Sequence, residues 1–128
     1  MTSNFSKIFF ALFVFSIMFI GCQEEEYEIK YSVISGVDNL PAIIIYKDAR
    51  KSDQVLPTAR TPWNYIFTGE EGDSIKVSAN IYSDGTLSII GTDTLRVMIF
   101  INGVKYKENF VVITNSGSDI AEVSGIIP

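Results

Sequence analysis

Cys22 is the only cysteine in this chain of 128 residues, and it directly follows Phe19-Ile20-Gly21 at the end of an apolar run. A small residue followed by a cysteine at that place has the form of a bacterial lipoprotein signal. The expected chemistry is cleavage after Gly21 and transfer of a diacylglyceryl group to the Cys22 sulfur. The segment 1–21 has the parts of such a leader. Lys7 and the α-amine make a weakly positive start, and Ile8 to Ile20 is apolar except for Ser16. That run is 13 residues long, short of the roughly 20 that a permanent membrane-spanning helix needs. Each buried methylene contributes about 0.8 kcal/mol, so two or three acyl chains hold a small domain firmly at a bilayer. Leucine is the usual residue three before the cysteine, and Phe19 stands there. An ordinary signal peptide followed by an unrelated Cys22 is the competing reading.

Little other chemistry is offered by the residue types. There is no histidine, which removes the commonest general base, the commonest metal ligand and the one side chain that titrates unperturbed near neutrality. A nucleophile needs a base beside it, and only Ser–Lys or carboxylate pairs remain, with no spacing that picks one out. The expectation is a protein without catalytic residues, cofactor or zinc site. Calcium is the metal left open. Asp84 with Gly85, Asp93, and Asp73 with Glu70 and Glu71 place oxygen donors on turns. No EF-hand or other dense acidic repeat accompanies them, and turn aspartates usually cap or kink the backbone.

Cutting 21 residues from 128 leaves 107, which is one domain with room for a real core. The mature part holds all fifteen acids and nine of the ten bases, a net charge of −6. An acidic domain with no basic cluster is a poor match for nucleic acid. With Cys22 acylated no thiol remains, so burial rather than a disulfide must stabilise the fold. Residues 22–26 read as an acidic tether. Glu24-Glu25-Glu26 repel one another and extend the chain. The same run resembles the short acidic signals that send some lipoproteins to the outer face of the outer membrane.

Residues 27–128 read as all β. Tyr27, Ile29, Tyr31 and Val33 alternate with Glu28, Lys30 and Ser32, and Ile75, Val77, Ala79 and Ile81 alternate with Lys76, Ser78 and Asn80. Ala42 to Tyr46, Trp63 to Phe67, Val97 to Ile101, Val104 to Ile113 and Ile120 to Ile126 complete the set. Turn signals separate them, at Gly36 with Asp38-Asn39, Gly69 to Asp73, Ser83-Asp84-Gly85, Asn102-Gly103 and Asn115-Ser116-Gly117. Asn102-Gly103 predicts a type I′ hairpin between strands near 95–101 and 104–113. About seven short strands point to an immunoglobulin-like, two-sheet antiparallel sandwich after an N-terminal signal helix, with a small closed barrel as the other solution. Trp63, Tyr65 and Phe67 are expected in the core, although a stacking platform for sugar or peptide is the alternative. Tyr27, Tyr31, Tyr46 and Tyr106 are expected at the core's margin with wet hydroxyls. Lys105 and Lys107 straddle Tyr106 and fit either solvent exposure or protection of an edge strand.

The order Ile29-x-Tyr31-x-Val33, Gly36, Ile44-x-Tyr46, Pro62-Trp63, Ser78-Ala79, Ile99-x-Ile101-Asn102-Gly103 and Ala121-x-Val123 resembles the soluble domain of the MmpS-like family of small mycobacterial membrane proteins. The resemblance covers most of residues 27–126. It implies an immunoglobulin-type sandwich in the cell envelope that serves as an accessory partner of a lipid-exporting RND-type transporter. Two departures stand against it. The family keeps an N-terminal transmembrane helix, where this chain has a cleavable leader. Many members carry a cysteine pair, and the matching places here are Val97 and Val123, which can fill the space by burial but cannot supply a covalent link.

The expected function is that of an envelope lipoprotein, membrane-anchored through Cys22 and most simply at the outer membrane. Its sandwich is a non-catalytic interaction domain, with an envelope transporter or another envelope protein as partner. A surface-exposed module that binds glycan or peptide is the alternative.

Overall fold

The computed structural model describes residues 25–81, 93–113 and 119–128. The leader, Gly21 and Cys22 lie outside the described residues, as do the expected signal helix and the turns near 83–85 and 115–117.

The architecture is an all-β sandwich of two antiparallel sheets. Its eight strands are β1 (Glu26–Ser35), β2 (Pro41–Lys47), β3 (Asp53–Arg60), β4 (Trp63–Glu70), β5 (Ser74–Ile81), β6 (Asp93–Ile101), β7 (Val104–Ile113) and β8 (Ile120–Ile126). One sheet has the order β4-β1-β6-β7 and the other β3-β2-β5-β8. We call them sheets A and B. The two-sheet reading of the sequence stands, with one strand more than the seven expected. The added strand is β3, Asp-Gln-Val-Leu-Pro-Thr-Ala-Arg, in which only Leu56 and Ala59 are half-buried. Its pairing with β2 slips between Ala42 and Ile44, opposite Pro57. Proline has no N–H for a ladder and is confined to edge strands and bulges. A strand that buries so little and carries a proline has no period to read. β1 begins at Glu26, the last residue that the sequence reading assigns to an acidic tether.

The strands form because alternate residues have somewhere to go. Ile29, Tyr31 and Val33 of β1, Ala42, Ile44 and Tyr46 of β2, Ile75, Val77 and Ala79 of β5, and Leu95, Val97 and Ile99 of β6 all point between the sheets and are buried. These four strands occupy the middle of their sheets, where both ladder edges are hydrogen-bonded. Full burial of each aliphatic side chain is worth roughly 1.5–3 kcal/mol. Val97 on β6 and Val123 on β8 are both buried, on opposite sheets.

The hairpin at Asn102-Gly103 is the one the sequence predicts. Both residues take positive φ, 50° and 79°, which a type I′ turn requires. The turn is also tied to β1: Asn102 donates its N–H to the Glu28 carbonyl at 2.8 Å, and its Oδ1 accepts the Glu28 N–H at 2.9 Å. Asn102→Ala removes the acceptor and places a poor residue at positive φ. The expected loss is about 1–2 kcal/mol, measured by urea unfolding. An unchanged midpoint would show that the turn does not need the asparagine.

Candidate interaction surface

The two flanks of the sandwich differ. On one side β7 lies beside β8, and three side chains of β7 reach across. Tyr106 Oη donates to the Ile126 carbonyl at 3.1 Å, Lys107 Nζ to that of Ser124 at 3.0 Å, and Asn109 Nδ2 to that of Glu122 at 3.0 Å. The outer edge of β8 is thereby capped. The pairing of β6 with β7 slips between Ile99 and Phe100, which leaves Tyr106 as the extra residue and aims its ring inward. Protection of an edge strand is thus what Lys107 supplies, while Lys105 pairs with Glu108 at 3.2 Å.

The other flank is lined by rings. Trp63, Tyr65 and Phe67 of β4 face inward and pack on the core, as the period predicts, but stay half-buried because β4 is an edge. Trp63 and Tyr65 lie with planes 4° apart and centroids at 6.3 Å, and Tyr65 meets Tyr46 at 4.6 Å. Tyr31 continues the cluster, 5.2 Å from Phe67.

Tyr31 corrects the expectation of wet hydroxyls. It is fully buried, and its hydroxyl crosses to sheet B. There it donates to the Lys47 carbonyl at 2.7 Å and accepts the Lys76 N–H at 3.2 Å. The ladder between β2 and β5 ends at Tyr46 and Val77, so the phenol takes the place of the next rung. Burial holds its pKa well above the ordinary 10.0. Burial also raises that of Tyr46, while that of Tyr27, half-buried, is raised chiefly by its hydrogen bond to Glu25.

The outward face of sheet A carries apolar side chains that the described strands leave uncovered. Ile66 is 58% exposed, Phe110 52% and Val112 44%, with Ile34 beside them. Lys30 Nζ lies 4.6 Å from the centre of the Phe100 ring, and the Arg96 guanidinium 5.3 Å from that of Phe110. Glu108 holds Arg96 at 2.9 Å, and hydrogen bonds from Arg96 and Lys105 keep its carboxyl below its ordinary range. Exposed apolar and aromatic side chains interleaved with charge, an arginine among them, are the composition of a docking face.

The calcium candidates do other work where they are described. Asp73 Oδ2 accepts the Glu70 N–H at 3.0 Å, and Oδ1 pairs with Lys51 at 2.9 Å. Asp93 Oδ1 accepts the N–H groups of Gly36 at 3.0 Å and Thr94 at 2.8 Å, while its Oδ2 is buried without a hydrogen bond. Asp84 and Gly85 lie outside the described residues. Among the described residues no three acids, histidines or cysteines group as metal ligands.

The Asp73 carboxyl sits below the ordinary 3.8, first through the Glu70 N–H and then through Lys51. A depressed carboxylate stabilises the fold above its unfolded pKa and loses that contribution as pH falls through the folded one. Melting temperature is therefore expected to fall below about pH 4, and the fall should be shallower in Asp73→Asn. Parallel curves for the two proteins would remove Asp73 from the acid response.

No protein-family model matches this chain, and no curated protein matches it either.

Proposed function

We propose that this chain is a bacterial envelope lipoprotein whose sandwich is a non-catalytic interaction domain, and that its partner is a component of an envelope transporter. The supporting observation is the outward face of sheet A, where Ile66, Phe100, Phe110 and Val112 stand among Lys30, Arg96 and Lys105. In a chain of net charge −5 this face sets three cations among its apolar side chains, two of them, Arg96 and Lys105, paired with Glu108. It suits a partner patch that is apolar with acidic groups set within it. The proposed anchor adds to this. Cys22 precedes the first residue of β1 by four positions, so a lipidated chain is held close to the membrane. The resemblance to MmpS-like domains supplies the RND-type permease as the specific partner.

A photo-crosslinking residue in place of Phe110, in cells, tests the proposal. Adducts with a permease or a periplasmic adaptor are expected, and they should be absent when the probe replaces Val55 on the outer face of sheet B. Equal labelling from both positions would contradict it. The half-buried rings of β4 favour a second reading, a module that binds glycan or peptide on that flank. Trp63 is the sole tryptophan, so a ligand there changes its fluorescence and raises the melting point.

A further inference from the structure

We propose that β4 is a self-pairing edge, and that two copies of this chain join through it into one continuous eight-stranded sheet A. Four strands lie at sheet edges: β4, β7, β3 and β8. Natural sandwiches blunt such edges with proline, bulges, charge or cover. β3 has Pro57 and a register slip. β7 has a slip and carries Lys105, Lys107 and Glu108. The outer carbonyls of β8 accept Tyr106, Lys107 and Asn109. β4, Trp-Asn-Tyr-Ile-Phe-Thr-Gly-Glu, has none of these devices before Glu70 among the described residues.

The groups that β4 offers can be read from the ladder. Glu28 exchanges hydrogen bonds with Asn102 on its β6 side. In antiparallel sheets the facing pairs alternate, so Ile29, Tyr31 and Val33 turn their polar groups to β4 and bond to Phe67, Tyr65 and Trp63. The N–H and C=O of Asn64, Ile66 and Thr68 then point to the free edge. Glu70 confirms the parity. Its N–H and C=O both go to Asp73, on the side away from β1.

The sequence of this edge is self-complementary. A two-fold axis at Ile66 sets Ile66 against Ile66 of the second copy, and Asn64 against Thr68. On the inner face it sets Tyr65 against Phe67. Each pairing joins like to like: apolar to apolar, amide to hydroxyl, ring to ring, all favourable across strands. Shifting the register by two residues faces Ile66 with Asn64 or Thr68 and loses the match. The apolar outer face proposed for partner binding becomes continuous across the pair. Because the axis is normal to the sheet, the β1 starts fall at opposite ends. Two anchored copies then lie with their strands along the bilayer.

The test uses the full chain extracted from membranes in detergent. Residues facing each other in a hydrogen-bonded pair have Cα atoms about 5.5 Å apart, within disulfide reach. Ile66→Cys is expected to give a disulfide-linked dimer on mild oxidation, with the parent chain as control for any linkage through Cys22. Asn64→Cys alone should give none, whereas Asn64→Cys mixed with Thr68→Cys should link. Light scattering should give twice the chain mass for the parent, and the single-chain mass for Ile66→Lys with its melting point kept. A parent that is monomeric at tens of micromolar overturns the proposal. So does linkage that ignores register, or an extended peptide from another protein found on β4 of a monomeric chain.

Discussion

Replacing Tyr31 with phenylalanine is expected to lower stability by about 1–3 kcal/mol. Almost no volume is lost, so the effect isolates the hydroxyl. Without it, the Lys47 carbonyl and the Lys76 N–H lose the one atom that serves both, at the point where β2 and β5 part. Leaving buried backbone groups unpaired costs more than a typical hydrogen bond returns. For a domain of this size each kcal/mol moves the melting temperature by roughly 4–8 °C. A pH titration gives a second readout. A tyrosine whose folded pKa is raised stabilises the fold fully below its unfolded value of 10.0. That contribution declines as pH climbs through the interval up to the folded value. The parent should therefore lose stability above about pH 10 more steeply than Tyr31→Phe. Equal melting points at neutral pH would mean that water replaces the phenol at no cost.

The second large effect concerns the anchor. In Cys22→Ser, uptake of labelled fatty acid should fall from full incorporation to none, and residues 1–21 should remain attached. A single acyl chain binds a membrane only marginally, whereas two signals anchor stably, so the parent should partition almost wholly into the detergent phase. Labelling that persists in Cys22→Ser would place the lipid on another residue. Normal removal of the leader in the same variant would point to an ordinary secretory signal.

The sequence conveys the sandwich because its central strands bury every second residue. Ile75, Val77 and Ala79 alternate with Lys76 and Ser78, and the structure puts the first set inside. Asn102-Gly103 was legible because few residue pairs accept two positive φ angles in succession. β3 was not, because Pro57 and a mostly exposed strand leave no period. The role of Tyr31 was hidden for another reason. Alternation says that its ring points inward, but not that its hydroxyl crosses the core to a gap between two strands of the other sheet. The proposed docking surface was hidden likewise. Lys30, Arg96, Phe100 and Phe110 come from three strands, and only the order β1-β6-β7 brings them side by side. The unprotected character of β4 needs that order too, since a strand is an edge only once its neighbours are known.

The anchor on which the proposed function rests is open to one direct measurement, the intact mass of the protein extracted from membranes. The expected species begins at Cys22 and exceeds its peptide mass by a diacylglyceryl group, with or without a further acyl chain on the amine. A chain with a free Cys22 thiol, or one that begins at any other residue, would contradict the account.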